Sequence, residues 1–289
     1  GRGNGSARHS LHGIKKLREL ILELAVRGKL VPQDPNDPPA SDLLEKIARE
    51  KARLIKEGKI KKDKPLPEIS EDEKPFELPE RWAWVYLSDI VQIVGGGTPK
   101  SSEPTYWADD EIKWLTPADL YGLNEKYISA GRRDISSKGL EASSATLLPV
   151  GAVLFSSRAP IGYVAIAGAE LATNQGFKSC VPYVQGMSEY VYYFLKRSAR
   201  KIDSQASGTT FKEISGAGMS KVLFALPPLA EQQRIVAKVD ELMALCDQLQ
   251  QQQIESSDTH QILVETLLAS LTNAADQKEC ASAWQRIAN

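Results

Sequence analysis

Histidine, cysteine and methionine are scarce in this chain, three of each among 289 residues. His9 and His12 sit at the start and His260 near the end, too dispersed for a histidine general base or a His-rich metal cluster. Cys180, Cys246 and Cys280 are far apart and odd in number, with no C-x-x-C pair. Neither a disulfide framework nor a zinc site is indicated, and a reducing cytoplasm is the expected compartment. No apolar run approaches the roughly 20 residues of a membrane helix. Residues 1–13 have no apolar centre, so they do not form a signal peptide; they read as a disordered start or as residue left from cloning. No G-x-G-x-x-G follows a strand pattern, no GKS or GKT closes a phosphate loop, and no NPPY or DPPY run marks an adenine-methyltransferase site. Charge of one sign is missing overall, at a formal −1, but its distribution is uneven. Residues 130–215 hold ten Lys/Arg against six Asp/Glu, and residues 229–289 hold four against nine. A basic middle beside an acidic tail suits a protein that grips a polyanion with one part only.

What is present divides the chain into segments. Ile14, Leu17, Ile21 and Leu24 recur at 3, 4, 3 spacing and lead to Gly28, which reads as an amphipathic helix with a glycine stop. Pro32, Pro35, Pro38 and Pro39 then impose an extended path. Ser41 reads as the N-cap of a second helix ending at Gly58, and the charged, Pro-bearing stretch 59–75 reads as a linker. From Phe76 the periodicity changes to short β-rich runs, WAWVYLSDIVQIV, LLPVGAVLFSS, GYVAIAG and FKSCVPYV, with one helical run, MSEYVYYFLKRSARKI. The expected fold is α+β: one domain at 76–225 around a curled sheet, preceded by a helical region at 14–75 and followed by a long helix and further helical segment at 226–289. After Pro227-Pro228, Ile235, Val239, Leu242, Cys246 and Leu249 form a 4, 3, 4, 3 seam that needs a covering helix. Apolar spacing resumes at Leu263, Leu267 and Leu271; a continuous helix over 229–272 would be roughly 65 Å long. The N-terminal helix carries the matching seam, so the two ends are expected to pack together.

Candidate chemistry lies in the loops of 76–225. VGGGTPKSS places Gly97, Thr98 and Lys100 where backbone N–H groups and side chains could meet phosphate. GRRDISSKG offers Arg132, Arg133 and Lys138, and SSRAPIG offers Ser156, Ser157 and Arg158. ATNQGFK supplies Asn174, Gln175 and Lys178; SQASGTTFKEIS supplies Ser207, Thr209, Thr210 and Lys212. Arginine can fork onto guanine, and Asn or Gln can pair bidentately with adenine. Asn174 and Gln175 could equally brace the loop from inside. A different reading takes Glu111-Ile112-Lys113, with Asp89, Asp109 and Asp110, as the E-x-K of a metal-dependent nuclease. A third takes the chain as a coiled-coil scaffold with no DNA role.

Six segments carry a resemblance. They are IKKLRELILELAVRGKLVPQDPNDPPASDLLEKI at 14–47, PFELPERWAWVYLSDI at 75–90, GGGTP at 95–99, LLPVGAVLFSSRAPIGYVAIAG at 147–168, ATNQGFKS at 172–179 and LPPLAEQQRIVAKVDELMALCDQLQ at 226–250. From Ile14 onward the chain resembles the N-terminal half of a Type I restriction–modification specificity subunit. The resemblance implies a target-recognition domain on a helical spacer, with double-stranded DNA as ligand and no catalysis of its own. It implies modification subunits carrying S-adenosylmethionine and adenine methylation, and restriction subunits carrying ATP- and Mg-dependent translocation and cleavage. One recognition domain stands where that family has two. The chain is therefore expected to be a half subunit that pairs with a copy of itself or a piece of a longer protein, with Trp284 and Ile287 on an unpartnered stretch.

Overall fold

A computed structural model describes residues 3–272 apart from 63, 159 and 209–211. The second helical segment expected beyond residue 272, with Cys280, Trp284 and Ile287, lies outside the described residues, as do Thr209 and Thr210. So do the side chains of Leu263, Leu267 and Leu271.

In chain order the elements are α1 (Gly3–Val26), α2 (Ala40–Lys56), β1 (Ala83–Tyr86), α3 (Leu87–Ile90), β2 (Val91–Gly95), β3 (Trp107–Ala108), β4 (Ile112–Leu115), β5 (Tyr127–Ile128), β6 (Arg133–Ile135) and α4 (Ser137–Glu141). They continue with β7 (Val153–Ser157), β8 (Ile161–Ala167), β9 (Ala172–Thr173), β10 (Lys178–Pro182), α5 (Ser188–Gln205), α6 (Gly216–Ser220), β11 (Leu223–Leu226) and α7 (Leu229–Thr272). Three boundaries differ from the sequence expectation. Helix α1 begins at Gly3, upstream of Ile14, where the apolar spacing starts and before which a disordered start is expected. Helix α2 begins at Ala40 with Pro39 in the cap position and no side-chain cap, so Ser41 lies inside its first turn. The run WAWVYLSDIVQIV is two strands parted by the single turn α3, because Asp89 accepts the Tyr86 N–H at 2.9 Å and ends strand pairing there.

The residues form two compact units. In the described residues the first joins α1 as far as Ile21 to α7 from Asp240 onward. Ile14, Ile21 and Cys246 are buried, and Arg18 donates to Asp247 Oδ1 at 2.5 Å and to Gln250 Oε1 at 2.7 Å. Within the described residues, α1 and α7 do pack together as expected. Their seams are only partly covered: Leu242 is half-buried, while Leu17 and Leu249 stay 40% and 48% exposed. One facing helix shields one flank of an apolar stripe, and a 3.6-residue turn drifts away from a 3.5-residue seam.

The second unit, 22–239, holds the sheets. The expected single curled sheet is three: β1-β11, the five-stranded β2-β10-β7-β8-β5, and the four-stranded β3-β6-β4-β9. Strand β7 is buried at every position, which explains why VLFSS reads as an unbroken apolar run with two serines. Helix α5 lays Tyr190 to Leu195 into the core, and Tyr190 donates its hydroxyl to the Ala225 carbonyl at 3.1 Å. Leu24 is half-buried here, and Ile235 and Val239 are fully buried. Glu231, in the first turn of α7, is also buried; it accepts from Trp82 Nε1 at 2.9 Å and from Gln33 Nε2 at 2.7 Å. Arg234 clasps Asp37 nearby, so the proline-rich segment is tied to α7 by polar bonds. No described helix is long and apolar enough to cross a membrane.

Candidate nucleic-acid interface

Four loops far apart in sequence are bonded to one another. The 95–99 loop reaches 172–178 through Gly97 N–H to the Thr173 carbonyl, 2.9 Å, and through the Thr98 hydroxyl to Gln175 Oε1. The 156–158 strand end reaches the same segment through Ser157 N–H to the Gly176 carbonyl, 2.7 Å. The 204–215 segment closes on both: Ile214 N–H donates to the Ser157 carbonyl at 3.0 Å, and Lys178 holds Glu213 at 2.9 Å. Arg158 and Ser207 each pair with Glu213 through the backbone.

The glycines of VGGGTP serve close approach between backbones. A Cβ on Gly96 would fall 2.1 Å from the Asn174 carbonyl oxygen, and one on Gly97 would fall 2.4 Å from the Ala145 nitrogen. The Gly97 carbonyl accepts from Trp114 Nε1 at 3.0 Å. The loop is thus packed against protein, which corrects the phosphate role expected of Gly97; Thr98 and Lys100 remain exposed on it.

Several expected ligand contacts turn out to be internal bonds. Ser156 is buried, donating to the Pro160 carbonyl at 2.8 Å and accepting from Tyr163 N–H at 2.7 Å, so it braces the β7–β8 connection. Ser157 is buried beside it. Asn174 accepts the Gly176 N–H at 2.8 Å in an Asx turn, which braces its loop from inside. Lys212 is exposed and paired with Asp203 at 2.9 Å.

The 131–139 loop belongs to the four-stranded sheet. Arg132 is exposed, with its amide donating to Asp119 Oδ1 at 3.1 Å and its guanidinium 3.7 Å from the same oxygen. Arg133 is exposed with its guanidinium carbon 3.6 Å from the Trp107 ring centroid, and Lys138 is exposed on α4. Asp119 and Trp107 were not singled out from the sequence. Thr116-x-x-Asp119 is a capping pattern that could have flagged the aspartate; no local pattern marks the tryptophan.

The E-x-K residues are committed elsewhere. Glu111 accepts from the Ser137 amide at 2.7 Å and from its hydroxyl, bonds that hold the carboxyl below its usual range. Lys113 bridges Asp110 at 2.7 Å and Asp134 at 2.9 Å, which raises it to about 12. Asp89 caps α3. Among the described residues, no group of three or more His, Cys, Asp or Glu is placed to hold a metal ion.

This is a mixed α/β domain flanked by helices, presenting cationic and amide side chains on interlocked loops. Residues 79–256 match the family described as Type I restriction modification DNA specificity domain, and the chain belongs to that family. It is 39% identical over 306 residues to the EcoAI specificity subunit of Escherichia coli, a match covering 99% of this chain and 49% of that protein. It is likewise 39% identical over 302 residues to the Escherichia coli EcoEI specificity subunit, covering 99% and 48%. The chain thus spans about half the length of these relatives. The solved HsdS subunit from Thermoanaerobacter tengcongensis shares the fold, with a TM-score of 0.53 at 20% identity over 91% of this chain and 55% of that one.

Proposed function

We propose that this chain reads a sequence in double-stranded DNA through the loops of residues 79–225, as the specificity element of a Type I restriction–modification complex, and performs no catalysis itself. The observation that carries this reading is the interlocking of four distant loops inside the region that matches a DNA specificity domain. Such interlocking gives a preformed surface, so little ordering entropy is lost on binding. Exposed Lys100, Arg132, Arg133 and Lys138 supply positive charge around it. In this reading modification subunits bring S-adenosylmethionine and adenine methylation, and restriction subunits bring ATP, Mg and cleavage. The exposed leucines of the helical unit, Leu17, Leu20, Leu245 and Leu249, face a second copy of the chain or a second half-subunit. The cytoplasm, where DNA and these partners meet, is the proposed location.

The test is selection from a random duplex pool by the full chain, followed by affinity measurement against salt. An enriched motif, bound with log K falling linearly in log salt, is expected. Equal recovery of all sequences would remove the reading.

A further inference from the structure

The cations of the loop surface differ in how far they are already committed. Arg132, Lys178 and Lys212 lie against carboxylates, those of Asp119, Glu213 and Asp203. Lys100 and Lys138 are exposed without a stacking partner among the described residues. Arg133 alone in this group is exposed, unpaired with an acid among the described residues, and fixed in direction. Its guanidinium carbon stands 3.6 Å from the centroid of the Trp107 ring.

That ring is itself held. Trp107 lies on β3 with Ile135 of β6 as its register partner, one strand position from the Asp134–Ala108 pair. Its edge meets Trp114 at 5.3 Å between centroids and 83° between planes, and Trp114 is anchored by its bond to the Gly97 carbonyl. Arg133 therefore rests on a platform continuous with the glycine loop. Stacking occupies the flat face of a guanidinium and leaves its N–H edge free, so the fork still donates two parallel bonds. A fork with a fixed direction pays less ordering entropy than a free arginine. Its complement is a pair of adjacent acceptors, offered by guanine O6 and N7 in the major groove or by two phosphate oxygens.

We propose that Arg133, set in direction by Trp107, reads a guanine of the target duplex, with Trp107 as a positioning residue that touches no base. This rests on the DNA-reading function above and adds the residue and the base. A base-reading role is favoured over phosphate because the exposed Lys100 and Lys138 already offer the point charge that holds a phosphate, whereas a guanine edge is distinguished only by a directed fork.

The experiment uses the full 289-residue chain. Motifs are selected from a random duplex pool by the wild type and by Arg133→Ala. Affinities are then measured on the enriched duplex with 7-deazaguanine replacing each guanine in turn, which deletes the N7 acceptor. One replacement should weaken the wild type by roughly fivefold or more and leave Arg133→Ala unaffected, and the variant should lose the preference at that base pair. Trp107→Phe should keep the sensitivity, and Trp107→Leu should lose it with an unchanged circular dichroism spectrum. Two results overturn the inference while the DNA-reading function stands: Arg133→Ala selecting the same motif with the same affinity, or weakening all duplexes equally with a salt slope smaller by about one, the mark of a phosphate contact. A wild type that enriches no motif sinks the function itself.

Discussion

At the scale of single residues, a Cβ on Gly97 would fall 2.4 Å from the Ala145 nitrogen. Three glycines beside Thr and Lys spell a phosphate cradle or a close backbone crossing with the same letters, and only the position of the Asn174 and Ala145 backbones decides for the crossing. Gly97→Ala should therefore destabilise the domain by about 1–3 kcal/mol through overpacking; a urea midpoint within error of wild type would contradict this packing. Asn174 braces its loop through an Asx turn, the inward role that its side chain also allows from sequence. Glu231 escaped the sequence reading because a carboxylate in a first helical turn is ordinary there. Burial raises its pKa, opposed by its bonds from Trp82 and Gln33 and by nearby Arg234, while Asp37 adds to the rise. A carboxyl whose pKa is higher folded than unfolded binds more protons in the native state. Its contribution is most favourable below the ordinary carboxylate pKa and is lost as pH rises through the raised value. Stability of the wild type should fall across that window more steeply than that of Glu231→Gln, measured by urea unfolding at stepped pH. Parallel profiles would show that the carboxyl does not titrate differently on folding.

At the scale of elements, the strongest periodic signals translated directly. The α5 run and the glycine stops at Gly28 and Gly58, with φ of +67° and +70°, were readable because each has a local physical cause. Strand partners were not readable: β4 pairs in parallel with β9, some 60 residues on, and no local spacing encodes that. The one-turn α3 was hidden for a related reason, since LSDI is apolar enough to pass for strand until Asp89 captures the Tyr86 amide. The approach of α5 to β8 depends on Gly162, whose φ is +101° and whose Cβ would sit 2.9 Å from that of Ala199. Gly162→Val combines backbone strain with a clash, and a loss of about 2–5 kcal/mol is expected. Adding Ala199→Gly should recover the clash but not the strain, so a denaturant double-mutant cycle should give a coupling of about 1 kcal/mol or more. Additivity of the two changes would place the cost elsewhere.

For the molecule as a whole, its family was legible from six quoted segments, because long ordered matches carry far more information than any single motif. What binds each surface is a separate physical question. The proposed DNA binding would be driven by counterion release and weaken with salt; the proposed association through the helical unit would be driven by apolar burial and would not. The seam residues Ile14, Ile21 and Cys246 are spent inside the unit, whereas Leu245 and Leu249 are each 48% exposed two helical positions to either side of Asp247. Replacing both leucines by Gln removes apolar area without adding charge or touching the buried seam, so helicity should persist. Self-association, followed by sedimentation velocity at rising salt, should be lost in this variant and little changed by salt in the wild type. Lys100→Glu with Lys138→Glu should do the reverse, leaving self-association intact and cutting the salt slope of DNA binding by about two. If the leucine variant sediments like wild type at every concentration, that apolar face plays no part in assembly. If instead it loses DNA affinity while remaining folded, DNA engagement requires the assembled form, since neither leucine can contribute counterion release.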